Sequence, residues 1–134
     1  MTDDLDLRIK RLKESLGGRV SVPAHHYQRP DIVRHADLVG DSYRLAVAAS
    51  RSEASYIILC GVRFMAESAA ILARPDQRVL SPDLAAGCPM ADMIDQAGAS
   101  MALASLKAAG VANPAPVVYM NSNADVKALA GSLG

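Results

Sequence analysis

The sequence contains no Trp, one Phe and four Tyr, although 51% of its 134 residues are hydrophobic. Because large aromatic side chains are scarce, its core must be built from Ala, Val, Leu, Ile and Met, which are common in protein interiors. Such a core favours tightly packed α/β layers over an aromatic β-sandwich. A chain of this length can bury roughly two thirds of its unfolded surface, which is enough for one compact core.

An excess of charge of either sign is also lacking, because 14 Lys and Arg residues balance 14 Asp and Glu residues. A chain without net charge has no overall field to attract a phosphate backbone or an anionic membrane. The charged amino terminus contains no apolar stretch of the secretory type, and no later apolar run approaches the length of a membrane span. We therefore expect a cytoplasmic protein with neither nucleic acid nor a membrane as its partner.

Cysteine is equally scarce. Cys60 and Cys88 are the only two, and they form no C-x-x-C pattern, which argues against a zinc ribbon or a disulfide scaffold. In a reducing cytoplasm both residues are expected to be thiols or metal ligands.

Hydrophobic periodicity predicts an alternation of strands and helices. An amino-terminal surface helix ends at the glycine pair 17–18. Strands are predicted over residues 19–24, 54–61, 78–81 and 116–121. Helices are predicted over residues 41–51, 63–73, 90–107 with a break near Gly98, and 124–130. This order predicts a three-layer αβα sandwich with a short parallel sheet of about four strands.

Polar side chains gather where the predicted strands end, and ligands of open α/β sheets collect beyond those carboxyl ends. The residues at or near strand ends are His25, Tyr27, Cys60, Cys88, Tyr119 and Asn121. Imidazole and phenol groups can bind or move a proton beside a carboxylate or a carbonyl. A His-His-Tyr run is equally compatible with a solvated turn.

The Gly40-Asp41-Ser42 sequence precedes a predicted helix. Backbone N–H groups at a helix start favour an anion, and Ser42 can add a hydroxyl donor. Simple capping of the helix by Asp41 or Ser42 is the more common use of these residues. Ser122 likewise matches a capping pattern with Asp125, which indicates a helix cap.

The two cysteines occupy different settings. Cys88 precedes Pro89, a favoured first helical residue, so its sulfur is predicted near a helix amino terminus that stabilises a thiolate metal ligand. Cys60 ends an apolar strand, where a free cysteine usually serves as a small hydrophobic side chain. Arg63 and Glu67 are four residues apart, so they either pair on a helix or leave Arg63 to face a substrate anion.

Five segments carry motifs that are specific when taken together, and they are AHHYQ (24–28), ADLVGDS (36–42), CGVRFMAESAAIL (60–72), LSPDLAAGCPMADM (80–93) and VVYMNSNADVKA (117–128). In this order and spacing they closely resemble the quinolinate synthase family over about residues 20–130. The resemblance implies a transferase of de novo NAD biosynthesis. Its substrates would be iminoaspartate and dihydroxyacetone phosphate, which condense to quinolinate with loss of phosphate and water.

The resemblance also implies a [4Fe-4S] cluster held by three Cys thiolates, with one open iron that binds and polarises the substrate. Cys88, in its A-G-C-P-M-A setting, matches the first of those ligands. Tyr27 is the residue expected to take part in proton transfer. The other positions that match the family's substrate cavity are His25, Ser42, Tyr119 and Asn121.

The family fold has three similar α/β layers around a pseudo-threefold axis. By that resemblance, residues 1–18 form an amino-terminal helix, 19–112 the first α/β domain, and 113–134 the opening strand and helix of a second domain. With one matched cluster thiolate, this chain alone is expected to hold no stable cluster. Its inter-domain surface would be exposed and would favour self-association.

Two other functions stay open from the sequence. The chain is alternatively a non-catalytic α/β module that binds a small anion or a protein partner. A metal site unrelated to the family, built from Cys88 and histidines, lacks the usual ligand spacing and ranks last.

Overall fold

The computed structural model describes residues 2–133, with side-chain environments from residue 4 onward. The helices are α1 (Thr2–Leu16), α2 (Pro30–Val33), α3 (Ser42–Arg51), α4 (Arg63–Leu72), α5 (Gln96–Ala108) and α6 (Ala124–Gly131). The strands are β1 (Val20–Ser21), β2 (Pro23–His25), β3 (Leu38–Gly40), β4 (Tyr56–Ile58) and β5 (Arg78–Leu80). Two short 3-10 helices cover Gly17–Arg19 and Ala91–Met93. The strand and helix alternation confirms the predicted α/β class.

Every strand pairing is parallel, as predicted. One sheet has the order β1-β4-β5, and the second consists of β2 and β3. The stretch 20–25 belongs to both sheets, because β1 pairs with β4 while β2 pairs with β3. The amide of His25 donates to the carbonyl of Cys60 over 2.9 Å, and the amide of Cys60 donates to that of Pro23 over 2.9 Å. The two sheets therefore form one layer with four strand positions.

One of those four positions differs from the prediction. The outer position is β3, which was not predicted because three residues between two aspartates carry too little periodicity. Residues 116–121, predicted as a strand, form none. Val117 in that segment is 98% exposed, so its alternating pattern has no adjacent strand to pair with among the described residues.

Helices cover both faces of the sheet, as side-chain alternation along β4 and its extension shows. Ile57 and Leu59 are fully buried in the core with side chains of α3 and α4. Ile58 and Cys60 point to the other face, where they line an apolar cavity of about 330 Å³ beneath α1. Successive strand residues face opposite sides of a sheet, so this arrangement is the expected αβα layering.

Ionic contacts hold α1 against the body. Lys13 Nζ lies 2.6 Å from Asp37 Oδ1, and Asp6 pairs with both Arg34 Nη1 at 2.6 Å and His35 Nε2 at 2.8 Å. The other Asp37 oxygen accepts the Val22 amide over 2.7 Å. Since these groups are partly exposed, each pair contributes modestly, on the order of 1 kcal/mol or less.

The helix starts follow capping chemistry. Asp41 caps α3 by accepting the Arg44 amide over 2.9 Å, and Asp95 caps α5 by accepting the Gly98 amide over 2.7 Å. The helix predicted from residue 90 therefore starts later than expected, and only a turn and a 3-10 helix follow Cys88. The predicted placement of the Cys88 sulfur at an α-helix amino terminus is wrong.

Unlike α3, α4 and α6, α5 contains no buried residue, although most of its residues are apolar. Met101, for example, is 71% exposed. Among residues 2–133, no helix combines the length and the apolar character required to cross a membrane.

Candidate functional site

The residues singled out from the sequence lie around two adjoining cavities. The first cavity, of about 310 Å³, is lined by His25, Tyr27, Ser42, Tyr119 and Asn121 among others. The second cavity, of about 240 Å³, shares four of these residues with the first and adds Cys88. All six predicted site residues are therefore brought together, although they come from distant parts of the chain.

The parallel sheet explains this convergence. β2 ends at His25, β3 ends just before Asp41 and Ser42, and β4 leads through Cys60 into α4. Because these strands are parallel, their carboxyl ends meet at one edge of the layer. Gly61 turns the chain there, and a Cβ atom at this position would lie 2.9 Å from the sulfur of Met65.

His25, His26 and Tyr27 form an aromatic cluster at the first cavity. The rings of His25 and His26 stack with centroids 4.4 Å apart, and the Tyr27 ring meets His25 edge-on at 4.9 Å. The His25 Nδ1 atom accepts the Tyr27 amide over 3.2 Å, so a neutral His25 carries its proton on Nε2. Burial, followed by repulsion from His26, lowers the pKa of His25, which favours that neutral form.

Ser42 is buried at the start of α3 and faces both cavities. The sequence left open whether Asp41 or Ser42 caps this helix, and the structure assigns the cap to Asp41. The hydrogen bond from the Arg44 amide is the main reason why the pKa of Asp41 lies below its usual value. Since the carboxylate performs the capping, the Ser42 hydroxyl is free to serve as a donor toward the first cavity.

Tyr119 and Asn121 reach the site from an irregular segment rather than from a strand end. The amide Nδ2 of Asn121 lies 3.8 Å from the sulfur of Met90, while Tyr119 is 65% exposed at the rim of the first cavity. The buried Ser122 donates its hydroxyl to the Tyr119 carbonyl over 2.8 Å. Ser122 is not the helix cap that the sequence predicted, since Asn123 occupies the cap position of α6.

The two cysteines lie on opposite faces of the sheet. Cys88 lines the second cavity and packs against the edge of the core. Cys60 lines the apolar cavity beneath α1, where burial raises the pKa of its thiol. A raised pKa keeps a thiol protonated and a poor metal ligand, so Cys88 is the better placed of the two.

The described residues do not provide a complete metal site. Among residues 2–133, no group of three or more His, Cys, Asp or Glu side chains is placed to hold a metal ion. Of the three thiolates that such a cluster needs, the second cavity provides one, that of Cys88. The donor set of this chain therefore fits one ligand of such a cluster and does not fit the whole group.

The cavities contain little positive charge. Among their described lining residues there is no Lys or Arg, and Asp41 contributes a carboxylate to the first cavity. Arg63, which the sequence offered as an anion contact, instead places Nε 3.4 Å from Glu67 Oε1. Hydrogen-bond donors, rather than cationic side chains of this chain, are thus the groups that the cavities present to a ligand.

Sequence reasoning missed several contributors to the site. Gln28, Phe64 and Met65 also line the second cavity. Gln28 could have been noticed because it directly follows the His-His-Tyr run. Phe64 and Met65 carried only the periodicity of a core-facing helix, which gives no indication that one edge of that helix borders a cavity.

Comparison with known proteins identifies the family. The family model described as "Quinolinate synthetase A protein" matches residues 7–133. The chain is similar to the quinolinate synthase of a Nocardioides species, with 54% identity over 129 residues, 95% of this chain and 33% of the relative. It is also similar to the Streptomyces coelicolor protein of that name, with 52% identity covering 98% of this chain and 34% of the relative.

A third relative of the same name, from Geobacillus thermodenitrificans, is 47% identical over 133 residues, 98% of this chain and 36% of its own length. The chain thus spans about a third of the length of the curated relatives it matches. The five motifs, the cavity at the strand ends and these matches agree, and the chain belongs to the quinolinate synthase family.

Proposed function

We propose that this chain supplies part of the substrate cavity of a quinolinate synthase, a transferase that condenses iminoaspartate with dihydroxyacetone phosphate to give quinolinate. The observation that carries the proposal is the convergence of His25, Tyr27, Ser42, Cys88 and Asn121 on one cavity. These residues come from four separate motifs, and only the fold brings the four motifs together. Their chemistry suits substrates that carry carbonyl, carboxylate and phosphate oxygens.

Each side chain has a role that follows from its setting. Neutral His25 offers its Nε2–H as a donor to a substrate oxygen, since Nδ1 is occupied by the Tyr27 amide. The exposed phenol of Tyr27 can reach a bound ligand and transfer a proton to or from it. Ser42, Tyr119 and Asn121 add hydroxyl and amide donors that orient the substrate.

Cys88 is proposed as the one cluster ligand that this chain provides. When bound, a [4Fe-4S] cluster would supply Lewis-acid chemistry at its open iron. The apolar side chains of this chain that line the second cavity with Cys88 include Val62, Met65 and Met90. The remaining ligands and cationic groups for the substrate would come from other parts of the complete enzyme.

The proposal includes a division of the chain. Residues 19–112 are assigned to a first α/β domain, with residues 1–18 as a helix laid upon it and 113–134 as the start of a second domain. The supporting observation is that residues 111–123, which join α5 to α6, form neither a helix nor a strand. A soluble biosynthetic enzyme of this kind would work in the cytoplasm.

The test is a hybrid enzyme in which this chain replaces the matching third of the Nocardioides relative. We expect the hybrid to form quinolinate and Tyr27→Phe to lower kcat by at least about 100-fold, the usual contribution of a general acid or base. Tyr56→Phe is the matched control, because Tyr56 lies on β4 and its phenol is exposed outside the two cavities. Equal activity of the two Tyr variants would refute the assigned role of Tyr27.

A further inference from the structure

The segment that carries Tyr119 and Asn121 has little regular structure to fix its position. Residues 111–123 form neither a helix nor a strand, and neighbouring Val117 is almost fully exposed. The positions of Tyr119 and Asn121 therefore depend on the contacts that hold the end of this segment. That end is the start of α6, three residues beyond Asn121.

The amino terminus of α6 is held by a distant residue. The first amides of a helix lack acceptors within the helix, and the residue at the cap position usually supplies one. Here the side chain of Asn123 makes no capping bond and instead donates to Asp92 Oδ1 over 3.2 Å. The acceptor is Glu67 of α4, whose Oε2 atom receives the Ala124 amide over 2.9 Å.

The geometry around Glu67 favours a firm contact. A carboxylate at a helix start interacts favourably with the positive end of the helix dipole, and a charged acceptor strengthens the hydrogen bond. A second contact joins the same two helices, because Lys127 Nζ donates to Ser68 Oγ over 2.7 Å and lies 5.4 Å from the centre of the Phe64 ring. α4 therefore holds α6 at two successive turns, and Phe64 on α4 also lines the second cavity.

We propose that Glu67 is a positioning residue for the candidate site, keeping Tyr119 and Asn121 on the first cavity through the amino terminus of α6. This inference rests on the proposed function, which makes the first cavity part of a substrate site. Glu67 itself lines neither cavity and is not a catalytic residue. Its effect passes through one backbone amide, which makes it separable from residues that would touch the ligand.

The experiment uses the 134-residue chain with isotopic labels and compares Glu67→Ala, Glu67→Gln and the control Glu53→Ala. Glu53 is an exposed carboxylate before β4. In Glu67→Ala we expect faster amide exchange at Ala124, a shifted side-chain amide signal of Asn121, and binding of dihydroxyacetone phosphate weakened by about three- to tenfold. Glu67→Gln keeps an acceptor oxygen and should leave all three readouts close to those of the unmodified chain, whereas Glu53→Ala should change none of them.

An unchanged Asn121 signal in a folded Glu67→Ala chain would overturn the inference. If the unmodified chain binds no dihydroxyacetone phosphate, the proposed function fails for the isolated chain, while the Asn121 signal still decides the role of Glu67. If Glu67→Ala does not fold, Glu67→Asp shortens the side chain by one methylene group and withdraws the acceptor from the Ala124 amide. The same Asn121 shift there would support the inference, and no shift would overturn it.

Discussion

Different interactions stabilise two regions of the protein, which are the body (residues 20–80) and the C-terminal region (residues 96–133). The body has a core of tightly buried side chains from β4, α3 and α4. In the C-terminal region, α5 buries no residue and α6 buries only Val126. The body therefore stabilises itself by apolar burial, while the C-terminal region depends on a small number of polar contacts.

The candidate site lies where these two regions meet. His25, Tyr27 and Ser42 come from the body, where parallel strands fix their positions. Tyr119 and Asn121 come from the C-terminal region. One side of the site is therefore preorganised by the sheet, and the other side is held by contacts from α4.

The largest contrast should come from truncating one leucine in each region. Leu59→Ala removes a fully buried side chain from the body and should lower the free energy of unfolding by about 2–5 kcal/mol. Leu106→Ala on α5 removes a side chain that is 44% exposed and should cost less than about 1 kcal/mol. Urea denaturation followed by circular dichroism measures both, and equal losses would show that the C-terminal region has a core of its own.

One buried and one exposed glutamine allow the two regions to be compared through polar side chains as well. The buried Gln77 donates to the carbonyls of Ser52 at 2.8 Å and Ala54 at 3.0 Å. Gln77→Leu should lower the free energy of unfolding by about 1–3 kcal/mol, because those carbonyls lose their partner. Gln96→Leu at the exposed start of α5 should be nearly neutral, and thermal melts of the two variants would reveal any departure from this order.

Exposed apolar side chains of the C-terminal region should promote self-association. Met101 is 71% exposed and Val117 98% exposed. Sedimentation should show a weight-average mass that rises with concentration above the 14.1 kDa monomer, and Met101→Lys with Val117→Lys should suppress that rise. Leu7→Lys on α1 is the control, and a monodisperse unmodified chain would contradict the expectation.

The smallest effect concerns the titration of His25 in the body. Burial and His26 lower its pKa below 6.5, whereas the Asp41 carboxylate raises it, so Asp41→Asn should lower the pKa further. The unfolded chain binds a proton at His25 more readily than the folded chain does. The contribution of His25 to the free energy of unfolding is therefore fully present above pH 6.5 and is lost as the pH falls through the folded pKa. An NMR titration of His25 that gave a raised pKa would contradict the assigned cause.

The sequence predicted the body better than the C-terminal region. The apolar run along residues 54–61 and a helix cap at Asp41 or Ser42 are local signals. The fold confirms a strand, Tyr56–Ile58, within that run and assigns the cap to Asp41. The strand expected at 116–121 failed because pairing depends on a neighbour that local pattern cannot reveal. The helix predicted from residue 90 likewise starts only at Gln96, and Met90 and Met93 are 52% and 82% exposed.

The site was predictable where its residues follow strands or share motifs with the family. The convergence of His25, Ser42 and Cys88 could be expected from the rule for parallel sheets. The contact from Glu67 to Ala124 could not, because it joins residues 57 positions apart through a backbone amide that no sequence pattern marks. The sequence instead pointed to Ser122 as the cap and to Arg63 as the partner of Glu67.

Cys88, and not Cys60, lies on the cavity, and its thiolate is the proposed cluster ligand. In the hybrid enzyme after anaerobic reconstitution, Cys88→Ala should lose most of its iron and sulfide. Cys60→Ala should keep both at a stability cost of about 1–2 kcal/mol, since it removes only a partly buried sulfur beneath α1. Equal loss of iron and sulfide in the two variants would contradict the account.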